Sequence, residues 1–399
     1  MADYISKNGE KRRNLKIFRF AFFMALIFLF SGISALFWDK YVFPRLRADE
    51  WFGRLSLVKK GIEDTLIINK TEQITVNEDQ SIAKFIGKPV SATVEIVEER
   101  ENPTKPAASV KEEKFSSGVI VTADGLVVSF DGGYFSKEKE YRIFSSDGRA
   151  FGGKLLFVDG YTNLAFFKID DGSNFPTAEF VSKEDIKTGT KIVAIGKNGF
   201  DAGNSFKLGI LEEFDKNFSL VGKLASSEKM QGALSVDANF SDGDVAGFSG
   251  GAAVDFNGNV VGILGAKKEE GSMEFFAIPA DVVQEIVGKY IEKGGIERGK
   301  LGVYYVLNSK ESTSPSDPAA GHGAIVYSAS LQQGLAVITG SAAEKAGLRI
   351  LDVVLNVDGE EVNADQNLAQ LISKRKPGDK VNLKILRDGK EMEVKVVLQ

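Results

Sequence analysis

Residues 247–266 read GFSGGAAVDFNGNVVGILGA, and the fold class turns on how this stretch is disposed. Gly247-Phe248-Ser249-Gly250-Gly251 holds a serine between glycines, which permit a tight turn and leave backbone N–H groups unobstructed, as an oxyanion hole requires. From Ala252 onward, apolar residues alternate on either side of a turn, the pattern of a β-hairpin. The serine has the G-x-S-x-G spacing of an α/β-hydrolase nucleophile elbow, and Ser249, Asp281 and His322 follow the chain order of that triad. The elbow, however, needs a helix after its serine, and here a strand, a turn and a second strand follow.

The same short-strand pattern extends on the amino-terminal side of this stretch. YRIFSSDG (141–148), FGGKLLFVDG (151–160), NLAFFKID (163–170), KIVAIGKNG (191–199), FKLGILEE (206–213) and ALSVDANF (233–240) are apolar runs punctuated by turn residues. Regular short strands without intervening helices predict a β-barrel or sandwich. The 42 glycines agree with many turns. With no cysteine, the chain has no disulfide framework, thiolate metal site or cysteine nucleophile, and a single histidine, His322, excludes a histidine-rich metal site. No cofactor or metal is expected. Residues 1–60 carry twelve Lys/Arg against five Asp/Glu, or +7, so a net charge of −5 leaves −12 for the rest. An acidic body argues against nucleic-acid binding, which needs concentrated positive charge.

At the amino end, residues 17–38 read IFRFAFFMALIFLFSGISALFW, with no charge after Arg19. At about 1.5 Å per residue such a helix spans roughly 33 Å, enough for a bilayer core. Lys7, Lys11, Arg12, Arg13 and Lys16 precede it, which keeps residues 1–16 cytoplasmic and the rest outside. The segment is expected to be a transmembrane helix, with a cleavable signal peptide as the alternative. Residues 39–72 follow as a juxtamembrane linker, in which 48–65 has a helical pattern, and TEQITV (71–76) reads as a short strand.

The runs SSGVIVTADGLVV (116–128), TNLAFFKID (162–170), IVAIGKNGF (192–200), GFSGGAAVDFNGNVVGI (247–263) and FFAIP (275–279) stand in the order and spacing of HtrA-type (Deg) proteases. The resemblance covers roughly residues 73–399 and implies a mainly β chain. Two six-stranded trypsin-like β-barrels over 73–297 would be followed by a PDZ domain over 298–399, with the active site between the barrels. It also implies assembly as a homo-oligomer, commonly a trimer, in the bacterial envelope.

Carried over residue by residue, Ser249 matches the family nucleophile, and the amides of Gly247 and Ser249 match its oxyanion hole. Gly132, in VVSFDGGYF, stands where the family has its histidine, and Asn163 stands where it has its aspartate. Phe248 replaces a small polar residue and Ala252 a proline. A serine hydroxyl is a poor nucleophile unless a base takes its proton, and neither Gly132 nor Asn163 can serve. Asp131, His322, Lys154 and Lys168 are the candidate substitutes.

The carboxy-terminal part begins with an amphipathic helix, PADVVQEIVGKYIEKGG (279–295), capped by Asp281 and ended by Gly294-Gly295. Its apolar face is Val282, Val283, Ile286, Val287, Tyr290 and Ile291. GIERGKLGVYYVLN then resembles the entry into the family's PDZ domain. There Leu301, Gly302 and Val303 would bind a peptide carboxylate, and the next strand would receive the peptide as an added strand. A helix at Ala342–Ala346, a hairpin at Asp358-Gly359, a helix over ADQNLAQLISKRK and a hairpin at Asp388-Gly389 complete the pattern. In the last hairpin Val381, Leu383 and Ile385 should face Val394, Val396 and Leu398. The resulting expectation is a single-pass membrane protein whose protease-like and PDZ domains are extracytoplasmic. It would bind peptides, unfolded proteins or protein C-termini in envelope quality control, with a catalytically degenerate site. The alternatives are an endopeptidase using Ser249 with a non-standard base, and a PDZ scaffold.

Overall fold

The computed structural model divides into two units, Met1–Thr75 and Val76–Gln399. It describes residues 19–20, 22–27, 29–32 and 34 of the first, and 78–99, 115–172, 174–181, 185–199, 203–220, 224–269, 271–308 and 322–399 of the second. In the first unit the described residues are helical with exposed side chains. Among the described residues no helix is long and apolar enough to cross a membrane. The rest of the expected 17–38 span, the linker at 39–72 and the strand expected at 71–76 lie outside the described residues.

The second unit opens with two short helices, α1 (Glu78–Phe85) and α2 (Gly87–Ala92). A first closed barrel then follows, built from β1 (Thr93–Glu98), β2 (Phe115–Ile120), β3 (Leu126–Phe130), β4 (Tyr141–Phe144), β5 (Ala150–Val158) and β6 (Leu164–Ile169), in the order β1-β2-β3-β6-β5-β4. Side chains on a strand alternate between faces, and β3 uses both. Val127 joins Val94, Ile96, Ile120, Ile143 and Phe167 inside the barrel. Leu126, Val128 and Phe130 point instead into the core shared with the second barrel. There the Phe130 ring meets Phe276 edge-on, with centroids 5.4 Å apart.

The second closed barrel contains β7 (Lys191–Lys197), β8 (Asn204–Ser219), β10 (Gln231–Asp237), β11 (Ala252–Asp255), β12 (Val260–Glu269) and β13 (Ser272–Pro279), in the order β10-β13-β12-β11-β7-β8. A helical turn, α3 (Val245–Phe248), precedes β11. The hairpin anticipated after Ser249 is β11–β12, with Ala252 opposite Ile263. Helix α4 (Ala280–Lys293) starts earlier than a cap at Asp281 would place it. Its N-cap is Pro279, and Asp281 lies in the first turn, so the capping role expected of Asp281 is not taken. Gly294 ends it at φ 69°, a left-handed conformation that suits glycine. Val283 and Ile286 are buried, but Ile291, expected on the same face, is exposed.

The last sheet is built from β14 (Tyr304–Leu307), β15 (Ala324–Val326), β16 (Val353–Val357), β17 (Glu360–Glu361), β18 (Lys380–Arg387) and β19 (Lys390–Val397), joined by the two-residue β9 (Ala225–Ser226). Its order is β19-β18-β16-β15-β14-β9, with β17 pairing β16. Three short helices accompany it: α5 (Gln333–Ala336), α6 (Ala342–Lys345) and α7 (Leu368–Ser373). Val381 pairs with Val396 and Leu383 with Val394, as the alternation requires, while Ile385 faces Met392. The strand that sequence does not foretell is β9. It leaves the path of the second barrel and adds to the edge of this sheet, opposite Tyr304 and Tyr305.

Candidate functional site

Ser249 is the residue that ends α3, and it is 5% exposed. Its loop is clamped by β2. The Ser117 N–H (3.1 Å) and the Ser116 hydroxyl (2.9 Å) donate to the Ser249 carbonyl, and the Ser117 hydroxyl donates to the Gly247 carbonyl at 2.6 Å. The Ser117 hydroxyl in turn accepts from the Lys197 N–H on β7. Gly250 sits at φ +81°, and a Cβ there would lie 2.1 Å from the Ser117 carbonyl oxygen and 3.0 Å from the Phe130 nitrogen. The serine loop is therefore seated against the ends of β2 and β3, in the seam between the barrels. Phe248 turns into the second barrel, edge-on to Phe240 with centroids 5.3 Å apart.

The Ser249 hydroxyl has no hydrogen-bond partner among the described residues. Its N–H donates to the Val245 carbonyl at 2.9 Å, closing the turn of α3. The oxyanion-hole role expected of the Ser249 amide is thus unavailable in this conformation, because a donor engaged in a helical turn cannot point at a substrate oxygen.

The two partner positions are brought together. The Asp131 N–H donates to the Asn163 carbonyl at 2.8 Å, so Gly132 and Asn163 lie on adjoining loops just past the end of β3. Asn163 has φ 60°, a left-handed conformation in which asparagine is favoured. Its side-chain oxygen accepts from the Lys229 ammonium. Desolvation lowers the pKa of Lys229, against the attraction of Asp159 and Asp131. Asp131 is committed elsewhere, since one carboxylate oxygen accepts from the N–H groups of Gly133, Tyr134 and Phe135 at 2.8, 2.8 and 3.2 Å.

Of the other candidate bases, Lys168 pairs with Asp124 at 2.7 Å, Lys154 is exposed, and His322 lies just before β15, where its carbonyl accepts from the Asn308 side chain. Sequence inspection does not single out Lys197, the fully buried lysine of the barrels. Burial draws its ammonium down to about 8, against the attraction of Glu95. Its Nζ donates to Asn204 at 2.8 Å and to the Ser146 hydroxyl at 3.1 Å.

The expected carboxylate-binding loop of the last domain is well formed. Gly302 has φ +87°, and Leu301 and Val303 are fully buried. Its amides are occupied. The N–H groups of Leu301 (3.1 Å) and Gly302 (2.6 Å) donate to Oε1 of Glu228, and those of Gly302 (3.2 Å) and Val303 (3.0 Å) donate to the Ser227 hydroxyl. The signal that could have located this contact is slight: a carboxylate directly after the small residues Ala225-Ser226-Ser227, in a segment too short to mark as a strand.

With this geometry in hand, the comparisons with known proteins are specific. The profile of the trypsin-like peptidase domain matches residues 112–263, and that of the PDZ domain matches residues 299–398. A probable periplasmic serine endoprotease, DegP-like, of Bartonella henselae is 31% identical over 287 residues, covering 71% of this chain and 53% of that protein. The serine protease Do-like HtrA of Bacillus subtilis is 32% identical over 259 residues, covering 63% and 56%. The chain thus spans just over half the length of these curated relatives. Among solved structures, HtrA-type protease AlgW with a tripeptide superposes at a TM-score of 0.60 and 24% identity, over 79% of this chain and 97% of that one. A serine endoprotease from Yersinia pestis gives 0.55 at 20% identity, over 82% and 99%. The chain carries a trypsin-like peptidase domain over residues 112–263 and a PDZ domain over 299–398, and has homologues among the HtrA and DegP serine proteases.

Proposed function

We propose that this chain is a membrane-anchored HtrA-type protease homologue that has lost catalysis and acts by binding unfolded or C-terminal peptide segments in envelope protein quality control. One observation carries the proposal: the backbone bond from Asp131 to Asn163 holds Gly132 and Asn163 together past the end of β3, against which the Ser249 loop is seated. By the resemblance these positions correspond to the family histidine and aspartate, and neither side chain can take the serine proton. The engagement of the Ser249 N–H within α3 supports the same conclusion.

The anchor rests on residues 17–38 and the basic residues before them, which orient the domains outward. The periplasmic relatives support an extracytoplasmic setting. Assembly as a homo-oligomer, a trimer by resemblance, belongs to the same proposal.

The deciding experiment labels the purified chain with a fluorophosphonate beside a Ser249→Ala control and follows digestion of an unfolded protein. Neither signal is expected. Serine-dependent labelling together with digestion would overturn the proposal in favour of a working endopeptidase with a non-standard base.

A further inference from the structure

The edge of β14 is covered by a segment of the same chain. Ala225 and Ser226 pair antiparallel with Tyr305 and Tyr304, and the Ser227 N–H continues the ladder to the Val303 carbonyl at 2.9 Å. This is how an extended peptide adds to a PDZ sheet edge. The direction also fits. The segment runs toward the loop Leu301–Val303, and at its end the Glu228 carboxylate accepts the N–H groups of Leu301 and Gly302. Further along, the Gln231 side chain accepts from the Tyr305 hydroxyl at 2.6 Å, and the Gln231 carbonyl accepts from Asn367, the N-cap of α7, at 3.2 Å. Ala225, Ser226 and Ser227 are each at most 6% exposed.

The segment is not enclosed on every side. A cavity of about 880 Å³ opens against Ser227, Glu228 and Lys229, bounded by Asp159, Arg298 and Lys300.

We propose that residues 225–228 are a tethered ligand of the PDZ groove, with the Glu228 side-chain carboxylate standing in for the terminal carboxylate of a bound peptide, so that an incoming C-terminus binds only by displacing them. The occupant also indicates the ligand class. The groove takes an extended peptide with small or hydroxyl-bearing residues at its last positions and a free carboxylate at its end. The proposal rests on the peptide-binding function proposed above and adds competition to it. A tethered competitor acts at high effective concentration, so it lowers the apparent affinity of any free peptide by the fraction of time the groove is closed.

The test uses the full chain and a fluorescent octapeptide with the sequence of residues 220–227, LVGKLASS, ending in a free carboxylate. Glu228→Ala should bind it at least about tenfold more tightly than the wild type, because the closed state loses its carboxylate anchor. A second variant, Ser226→Cys with Tyr304→Cys, locks the segment in a protein that has no other cysteine. The two positions face each other in a non-hydrogen-bonded pair, where Cα atoms lie about 4.5 Å apart, within disulfide range. Oxidised, it should bind no peptide; reduced, it should bind. Equal affinity of the wild type and Glu228→Ala, or undiminished binding by the oxidised form, would overturn the tethered ligand and leave peptide binding intact. No binding by Glu228→Ala and by the reduced form, with thermal unfolding unchanged, would overturn peptide binding itself and the tethered ligand with it.

Discussion

If Ser249 is silent for want of a base, as proposed, supplying one should create reactivity in a graded way. The perturbation is Gly132→His with Asn163→Asp. A Cβ at position 132 would lie 2.6 Å from the Tyr134 ring edge, and Tyr134 is 50% exposed, so the ring has room to swing away. Position 163 is left-handed at φ 60°, which aspartate tolerates nearly as well as asparagine. The new carboxylate would meet the Lys229 ammonium that Asn163 now accepts, and this cation competes with the imidazole for it. Lys229→Met should therefore raise the effect further. A positioned general base contributes about 10²–10⁴-fold, so fluorophosphonate labelling of the double variant should rise by roughly that factor. Peptide hydrolysis should lag behind labelling, because the Ser249 N–H stays bonded to Val245, and one oxyanion donor is worth about 10²–10³ in turnover. The assay is the second-order labelling rate against pH, with Ser249→Ala in the same background as control. A double variant that folds, shows a titrating imidazole at position 132, and labels no faster than the wild type would refute the placement of that position beside the nucleophile.

Other expectations follow from individual contacts. Gly250→Ala should cost about 2–5 kcal/mol, combining the left-handed backbone with overlap onto the Ser117 carbonyl, and a denaturant midpoint would measure it. Asp159 and Arg298 form a pair whose side chains are 3% and 12% exposed, joining the first barrel to the segment that leads into the PDZ domain. Asp159→Ala should cost about 3–5 kcal/mol by stranding the guanidinium, and adding Arg298→Met should recover part of it in a double-mutant cycle. Lys197 makes stability depend on pH. Its folded pKa, about 8, lies below the ordinary 10.5, so between these values the unfolded chain holds a proton that the folded one has released. Stability should rise through that window by about 3 kcal/mol relative to Lys197→Met, with no such difference in slope below pH 8.

What the sequence made legible is what depends on local periodicity. The β11–β12 hairpin, the Gly294 stop of α4 and the final hairpin all follow from period-2 and period-3.6 patterns and from turn residues, which act within a few positions. The serine was legible for the same reason, because a glycine-flanked hydroxyl is a short motif. Three features were not. The N-cap of α4 fell on Pro279 because β13 runs directly into the helix and leaves Asp281 inside its first turn. The engagement of the Ser249 N–H depends on whether four residues, Val245–Phe248, close a helical turn, and four residues carry no period to read. The pairing of β9 with β14 joins positions almost eighty residues apart through a two-residue strand, whose stability comes from the sheet it joins and not from its own composition.

The persistence of a nucleophile motif, if its base is lost as proposed, has a physical account in these contacts. The carbonyls of Gly247 and Ser249 are the acceptors through which β2 of the first barrel grips the second, and the Ser117 hydroxyl links them to β7. A Cβ at position 247 would lie 2.6 Å from the Lys197 carbonyl oxygen, so this glycine is required by the approach of two backbones, independently of any reaction. The loop therefore closes the seam between the barrels with its main chain, while the hydroxyl of Ser249 contributes no bond to that closure among the described residues. Folding constrains the glycines and the carbonyls, and catalysis alone would constrain the hydroxyl. Ser249→Ala should for this reason leave the unfolding midpoint within about 0.5 kcal/mol of the wild type, whereas Ser117→Ala, which strands the Gly247 carbonyl and the Lys197 N–H, should cost about 1–3 kcal/mol. Equal losses in the two variants would show that the serine hydroxyl is itself a structural bond, and would remove the distinction between a loop that holds the barrels together and a hydroxyl placed for chemistry.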